Sequence, residues 1–195
     1  MTFDVGITAQ WHNLITDAQT ENGIQLNENI ESYLINTLIY YTQRPEIAAR
    51  IFAIDYMRAL HQQGQTRSMQ LRELADQCLL YAGLFPQHAK RHNVKASYYV
   101  DIGRSAYSDI SNNNHQLSSI FADLSDNFVK LMDTLLAIHD IDDIDSTNYI
   151  LDPKHALQTW QQTKSQQALR MFQQQVKSSN IVDFNTAQIV SDIKH

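Results

Sequence analysis

The stretch "LSSIFADLSDNFVKLMDTLLAI", residues 117–138, decides the fold class of this chain. Its large apolar residues are spaced alternately four and three positions apart: Leu117, Phe121, Leu124, Phe128, Leu131, Leu135 and Ile138. Such a heptad stripe is typical of an α-helix that packs along its length against other helices. We therefore expect this helix to be the central element of a bundle, with four fully buried positions: Phe121, Leu124, Phe128 and Leu131. A dimer contact along part of the stripe is the alternative interpretation.

The segments on both sides of this stripe also have helical periodicity. Apolar residues recur at helical spacing over residues 27–43, 45–63, 68–82 and 95–111, a short helix is expected over 86–92, and a last long helix is expected over 153–177. Strand patterns are missing, and the chain has only 5 glycines and 3 prolines, which favours few turns and long elements. The sequence therefore predicts an all-α, single-domain bundle of about six or seven helices with a long central heptad-patterned helix.

The two ends of the chain are expected to lie outside this bundle, which spans residues 27–177. Residues 1–26 contain scattered apolar side chains and predict a partly ordered N-terminal arm, with a short helix near Trp11 to Ile15. Residues 178–195 predict a short C-terminal helix or a tail. No linker interrupts the sequence between these ends, and 195 residues fit one domain with one core.

Charge and hydropathy exclude several classes of partner. The net charge is −6, and the nine basic and five acidic residues of the segment 44–104 are spread over its whole length, so a nucleic-acid partner is not expected. No apolar run reaches membrane-spanning length, and no Lys or Arg precedes Arg44. We expect a cytoplasmic protein without a membrane partner. The single cysteine, Cys78, lies in an apolar helical run and is expected to be a buried, reduced thiol.

The segment "ASYYVDIGRSAY", residues 96–107, combines residue types that occur both in helix contacts and in ligand sites. On a helix, one face is formed by Tyr99, Gly103, Ala106 and Ile110. Because Gly103 and Ala106 are small, this face would let a second helix approach closely. That packing would offset the free-energy cost of a glycine within a helix. The packing interpretation is therefore favoured. The alternative is a ligand pocket lined by Tyr98, Tyr99, Asp101, Arg104 and Tyr107.

A resemblance to a known family rests on two neighbouring motifs. "LRELADQCLLYAGLFP", residues 71–86, and "YYVDIGRSAY", residues 98–107, resemble the pattern of an uncharacterised family of bacterial all-helical proteins. The matching positions are Leu71, Asp76, Leu79, Gly83, Phe85, Pro86, Tyr98, Tyr99, Gly103, Ala106 and Tyr107. Many members of that family have glycine where this chain has Ala75. The resemblance covers about residues 67–110, and it implies a helical fold without implying any chemistry.

Metal-binding patterns in the sequence are incomplete. His88 and His92 have the spacing of two ligands on one helical turn, but no third or fourth ligand lies nearby, and Lys90 and Arg91 add positive charge. The acidic run around Asp143 does not fit a calcium-binding EF-hand loop in either register. We therefore predict neither a bound metal nor a cofactor.

Two functions remain open at this point. No constellation of catalytic residues is recognisable, which favours a non-enzymatic protein that acts through protein contacts or self-association, as a regulator, adaptor or scaffold. The alternative is a small-molecule-binding bundle or enzyme with a pocket near Tyr98, Asp101 and Arg104.

Overall fold

A computed structural model describes residues 2–43, 52–87, 89, 94–113, 118–142 and 150–178. Within these ranges the chain forms nine α-helices and no strand, which confirms the all-α class. The helices are α1 (Thr2–Asn22), α2 (Glu28–Thr42), α3 (Phe52–Leu60), α4 (Gly64–Gly83), α5 (Ala96–Asn113), α6 (Ser118–Asp126), α7 (Phe128–Asp142), α8 (Pro153–Thr163) and α9 (Gln166–Ser178). Parts of the helices predicted over 45–63 and 86–92, and nearly all of the C-terminal segment 178–195, lie outside the described residues.

Two helices contain long stretches that are buried on all sides and form the centre of the bundle. Every residue from Leu74 to Gly83 in α4 is buried, as is every residue from Leu131 to Ile138 in α7. α4 packs against α3, α5 and α7, whereas α7 also packs against α1 and α9. The two central helices approach closely, because a Cβ atom added at Gly83 would lie only 2.5 Å from the Cβ of Leu135.

The heptad stripe is buried as expected, but it is carried by two helices. Its six described members are all at most 4 % exposed: Phe121, Leu124, Phe128, Leu131, Leu135 and Ile138. The first four are the positions predicted to be fully buried. The single long helix is a correction, because a turn at Asn127 separates α6 from α7. The backbone amide and the side-chain amide of Asn127 both donate to the carbonyl of Asp123 (2.9 Å each), and the amide of Leu131 donates to the carbonyl of Asn127 (3.0 Å), so helical hydrogen bonds continue on both sides of this turn. Leu117 lies outside the described residues.

The helix predicted over 153–177 is also broken, at Lys164 and Ser165. Lys164 adopts a left-handed conformation (φ 62°) that ends α8. Ser165 then caps α9, since its hydroxyl accepts a hydrogen bond from the amide of Ala168 (3.0 Å). The buried carboxylate of Asp133 in α7 accepts from both the Ser165 hydroxyl and the Gln166 amide, so a long-range contact fixes the break.

The N-terminal segment forms a longer helix than the short one expected near Trp11 to Ile15. Residues 2–22 form α1, which packs against α2 and α7 and buries Ile15 and Ala18 completely. The helix ends where Gly23 turns to φ +62° and the amide of Ile24 bonds back to the carbonyl of Gln19 (3.0 Å). The two additional breaks and α1 raise the number of helices in the described ranges to nine, above the predicted six or seven.

Packing of α5 follows the face that the sequence indicates. All four residues of that face are buried: Tyr99, Gly103, Ala106 and Ile110. A Cβ atom added at Gly103 would lie 2.4 Å from the ring of Phe128 in α7 and 3.1 Å from the Cβ of Cys78 in α4. Glycine therefore allows α5 to approach both central helices. Cys78 is itself a buried free thiol, as predicted.

No helix in the described ranges has both the length and the hydropathy needed to cross a bilayer. The cytoplasmic location stays a prediction.

Candidate functional site

The buried carboxylate of Asp76 lies at the centre of a polar cluster that joins three helices. Its Oδ1 atom accepts hydrogen bonds from the hydroxyls of Tyr33 in α2 (2.6 Å) and Tyr107 in α5 (2.7 Å). The Nε of Arg72, one turn earlier in α4, donates to the Tyr33 hydroxyl (3.1 Å) and lies 3.7 Å from Oδ2 of Asp76. We call these four residues the Asp76 cluster.

The surroundings of the cluster determine its protonation. Burial raises the pKa of Asp76 to about 6, and the hydrogen bonds from Tyr33 and Tyr107 and the charge of Arg72 limit this rise. Burial, together with the negative charge of Asp76, raises the pKa of both tyrosines well above the usual value. Both tyrosines therefore remain neutral hydrogen-bond donors.

The raised pKa of Asp76 predicts an unusual pH dependence of stability. The folded pKa of about 6 lies above the unfolded value of about 3.9, so the folded state binds the additional proton between these values. The stability contributed by this group therefore increases as the pH falls. From about pH 7 to about pH 4.5 we expect a gain of about 2 kcal/mol that Asp76→Asn lacks.

Urea unfolding of the wild type and Asp76→Asn at both pH values measures this difference. Asp17→Asn, at an exposed carboxylate of α1, is the matched control, and it should track the wild type at both pH values. A difference between wild type and Asp76→Asn that is the same at both pH values would contradict the assignment.

A groove of about 870 Å³ opens beside the Asp76 cluster, between the first turns of α4 and the last turn of α5. Its buried lining residues are apolar: Leu71, Ile110 and Phe121. The others are mostly polar: Gln62, Gln63, Gly64, Gln65, Arg67, Ser68, Met69, Arg72, Asp109 and Asn113. We call this the α4–α5 groove. Arg72 belongs to both the groove and the cluster.

Arg67 has an incompletely satisfied guanidinium group in this groove. Its Nε atom is buried and has no hydrogen-bond acceptor among the described residues. One terminal nitrogen lies 3.9 Å from Oδ1 of Asp109, which is longer than a hydrogen bond. Asp109 itself accepts a hydrogen bond from the Tyr56 hydroxyl (2.5 Å), which ties α3 to α5. A buried N–H group without an acceptor is costly, so a ligand atom that accepts from it would be favoured.

The five residues predicted to line a ligand pocket lie in four different surroundings. Asp101 and Arg104 line a shallow hollow of about 430 Å³ on the outer side of α5. Tyr107 belongs to the Asp76 cluster, and Tyr99 is buried against the ring of Tyr81 (5.6 Å between centroids). Tyr98 accepts a hydrogen bond from the amide of Ala53 at the start of α3 (3.0 Å). Their role in ligand binding stays a prediction.

Arg104 has a structural role in addition to its position on that hollow. Its Nε donates to the carbonyl of Ser125 (3.2 Å), and the Ser125 hydroxyl donates to the carbonyl of Arg104 (3.1 Å). This reciprocal pair fastens α5 to the end of α6, just before the turn at Asn127.

A second cavity, of about 670 Å³, contains an Asp–His pair. Both carboxylate oxygens of Asp152 lie 2.7 Å from Nδ1 of His155. The two residues line the cavity together with Lys95. The same carboxylate caps α8, since it accepts a hydrogen bond from the His155 amide (3.0 Å). The pair therefore stabilises the start of a helix, and this role explains its geometry.

The described residues contain no group of three or more His, Cys, Asp or Glu side chains that could hold a metal ion. His88 and His92, the weak metal candidates of the sequence, lie outside the described residues.

The sequence predicts only some of the residues of the Asp76 cluster and the groove. Asp76 is an acidic residue inside the apolar stripe of α4, and it was one of the positions that carry the family resemblance. No pattern indicated that Tyr33, 43 residues earlier, would reach it. The sequence does not predict Arg67 and Arg72 as site residues, because an arginine on a helix surface has no distinguishing local pattern.

Comparisons of the chain with protein-family models, with curated proteins and with solved structures found no match. The family resemblance of residues 67–110 stays a prediction.

Proposed function

We propose that this chain is a small-molecule-binding helical bundle whose ligand occupies the α4–α5 groove. The volume of about 870 Å³ lies in the range of small-molecule sites, and the combination of buried apolar residues with a few polar groups is typical of them. The observation that carries the proposal is the buried Nε–H group of Arg67, which lacks an acceptor among the described residues. The Arg67 side chain lines the groove and is 26 % exposed, so a rotation of the side chain would turn this group towards a bound ligand that supplies the acceptor.

The composition of the groove supports binding without catalysis. Its described lining residues include no histidine or cysteine, and the hydroxyl of Ser68, the one serine among them, is directed to the carbonyl of Gly64 (3.5 Å). The carboxylate of Asp109 is held by Tyr56. A nucleophile paired with a base is therefore missing from this lining. The function through protein contacts, favoured by the sequence, stays a prediction that no described feature tests.

Filling the groove should abolish ligand binding. Ser68→Trp introduces a large ring at a lining position, whereas Gln70→Trp introduces the same ring at an exposed position of α4 outside the groove. In a thermal-shift screen of metabolites, we expect compounds that raise the melting temperature of the wild type and Gln70→Trp, since a ligand of the native state stabilises it. The same compounds should leave Ser68→Trp unchanged.

Circular dichroism of the three proteins without compound shows whether each one is folded. Compounds that stabilise Ser68→Trp as much as the wild type bind elsewhere, and that result would contradict the proposal. A screen without any stabilising compound would also contradict it.

A further inference from the structure

The charged groups of the α4–α5 groove are unevenly balanced. Among the described lining residues are two guanidinium groups, from Arg67 and Arg72, and the carboxylate of Asp109, while the carboxylate of Asp76 lies 3.7 Å from Nε of Arg72. The pair between Arg67 and Asp109 is loose, at 3.9 Å. The charge of Arg72 is therefore offset by Asp76, whereas the guanidinium group of Arg67 is only loosely paired within the described residues.

Both guanidinium groups have N–H donors that find no acceptor among the described residues. Arg67 has the buried Nε–H group that finds no acceptor among the described residues. Arg72 uses its Nε on the Tyr33 hydroxyl, and its terminal nitrogens make no hydrogen bond within the described part of the chain. Its side chain is 52 % exposed, so these nitrogens are accessible. Guanidinium donors fit the planar oxygens of carboxylates and the oxygens of phosphates, and such charge-assisted bonds are stronger than neutral ones.

The start of α4 adds to the positive potential in the same place. Residues 62–65 line the groove, and Gln63, which precedes the helix, makes no capping hydrogen bond with its side chain. The first amide groups of a helix carry partial positive charge. Next to these polar groups, Leu71, Ile110 and Phe121 offer a buried apolar surface.

Resting on the proposed function, we infer that the ligand of this groove is an organic oxyanion: an apolar body that carries a carboxylate or phosphate group. The oxyanion accepts hydrogen bonds from Arg67 and Arg72, and a rotation of the Arg67 side chain brings its Nε–H group, which has no acceptor among the described residues, to the ligand. The apolar body covers Leu71, Ile110 and Phe121.

Two probes that differ in charge and not in shape test this inference. 4-Phenylbutyrate has a carboxylate and an aromatic body, and 4-phenylbutyramide replaces the carboxylate by a neutral amide. Calorimetric titration of the wild type at low salt should give about tenfold tighter binding of the carboxylate, as expected for a charge-assisted bond. Phenyl phosphate and inorganic phosphate, titrated in the same way, show whether phosphate is also accepted and whether the apolar body is needed.

Variants connect this preference to the groove. Arg67→Gln should weaken binding of 4-phenylbutyrate about tenfold and change binding of the amide less than about twofold. Asp109→Asn removes the competing carboxylate and should strengthen binding of 4-phenylbutyrate several-fold, a gain that structural damage would not produce. Arg58→Gln is the control, because this arginine is 66 % exposed on α3 and pairs only with Asp55 among the described residues.

The possible outcomes separate the two proposals. Equal affinity for the carboxylate and the amide, both lost in Ser68→Trp, would overturn the oxyanion inference and leave the groove as the binding site. Tighter carboxylate binding that Arg67→Gln does not affect would overturn the inference as well. Probe binding that Ser68→Trp leaves intact would place it outside the groove and contradict the proposed function. If no probe binds, the oxyanion inference is overturned, and the metabolite screen decides the proposed function.

Discussion

Phe128→Ala is expected to lower the free energy of unfolding by about 3–5 kcal/mol. The Phe128 ring is 0 % exposed and lies where α4, α5 and α7 meet. It contacts the open side of Gly103 and the ring of Tyr107, whose centroid is 6.0 Å away. Alanine would leave a cavity that these buried neighbours cannot close. The variant therefore loses the transfer free energy of the ring and is destabilised further by the cavity.

The same substitution at Phe85, which is 42 % exposed, provides the control for Phe128→Ala. Urea unfolding should show a loss of less than about 1 kcal/mol for Phe85→Ala. Similar losses for the two variants would contradict the central position of Phe128 in the core.

Gly103→Leu is expected to cost about 3 kcal/mol, the upper end of the usual range for overpacked cores. Even the first carbon of the new side chain would lie 2.4 Å from two ring atoms of Phe128 and 3.1 Å from the Cβ of Cys78. Since both neighbours are fully buried, α5 has to move away from α4 and α7. That movement would also strain the bond between Tyr107 and Asp76, which connects the same helices.

Two further measurements separate overpacking at Gly103 from helix propensity. Gly6→Leu in α1 has no atom within 4 Å of its added carbon, and its stability should stay equal or rise, because leucine favours helix. The double variant Gly103→Ala with Phe128→Leu should lose less stability than the sum of the two single variants, since the smaller side chain makes room. Strict additivity, or an unchanged melting temperature for Gly103→Leu, would contradict the close contact.

The sequence predicted which faces of the helices are buried, because burial follows from periodicity alone. The stripe from Phe121 to Ile138 and the small-residue face at Gly103 are both buried as expected. Periodicity does not indicate where a helix breaks when the stripe continues on the next helix. The turn at Asn127 keeps helical hydrogen bonds on both sides and leaves the stripe continuous, and the break at Ser165 is held by Asp133, 32 residues away.

The candidate site was less predictable for the same physical reason. Asp76 accepts from tyrosines 43 and 31 residues away, and Arg67 meets Asp109 across two different helices. Spacing along one helix shows which side chains share a face, but it does not show which face of another helix lies opposite. The composition of the segment around Tyr98 and Arg104 predicted a possible ligand pocket, but its residues lie on opposite sides of α5.

The claim that an oxyanion binds to Arg67 in the α4–α5 groove is tested most directly by the NMR signal of the Arg67 Nε–H group. In ¹⁵N-labelled protein, this signal is assigned by its loss in Arg67→Lys and is followed during titration with 4-phenylbutyrate. We expect the Arg67 signal to shift with saturating dependence on the ligand, while the signal of the exposed Arg58 stays in place. An Arg67 signal that does not move while other resonances report binding would contradict the claim.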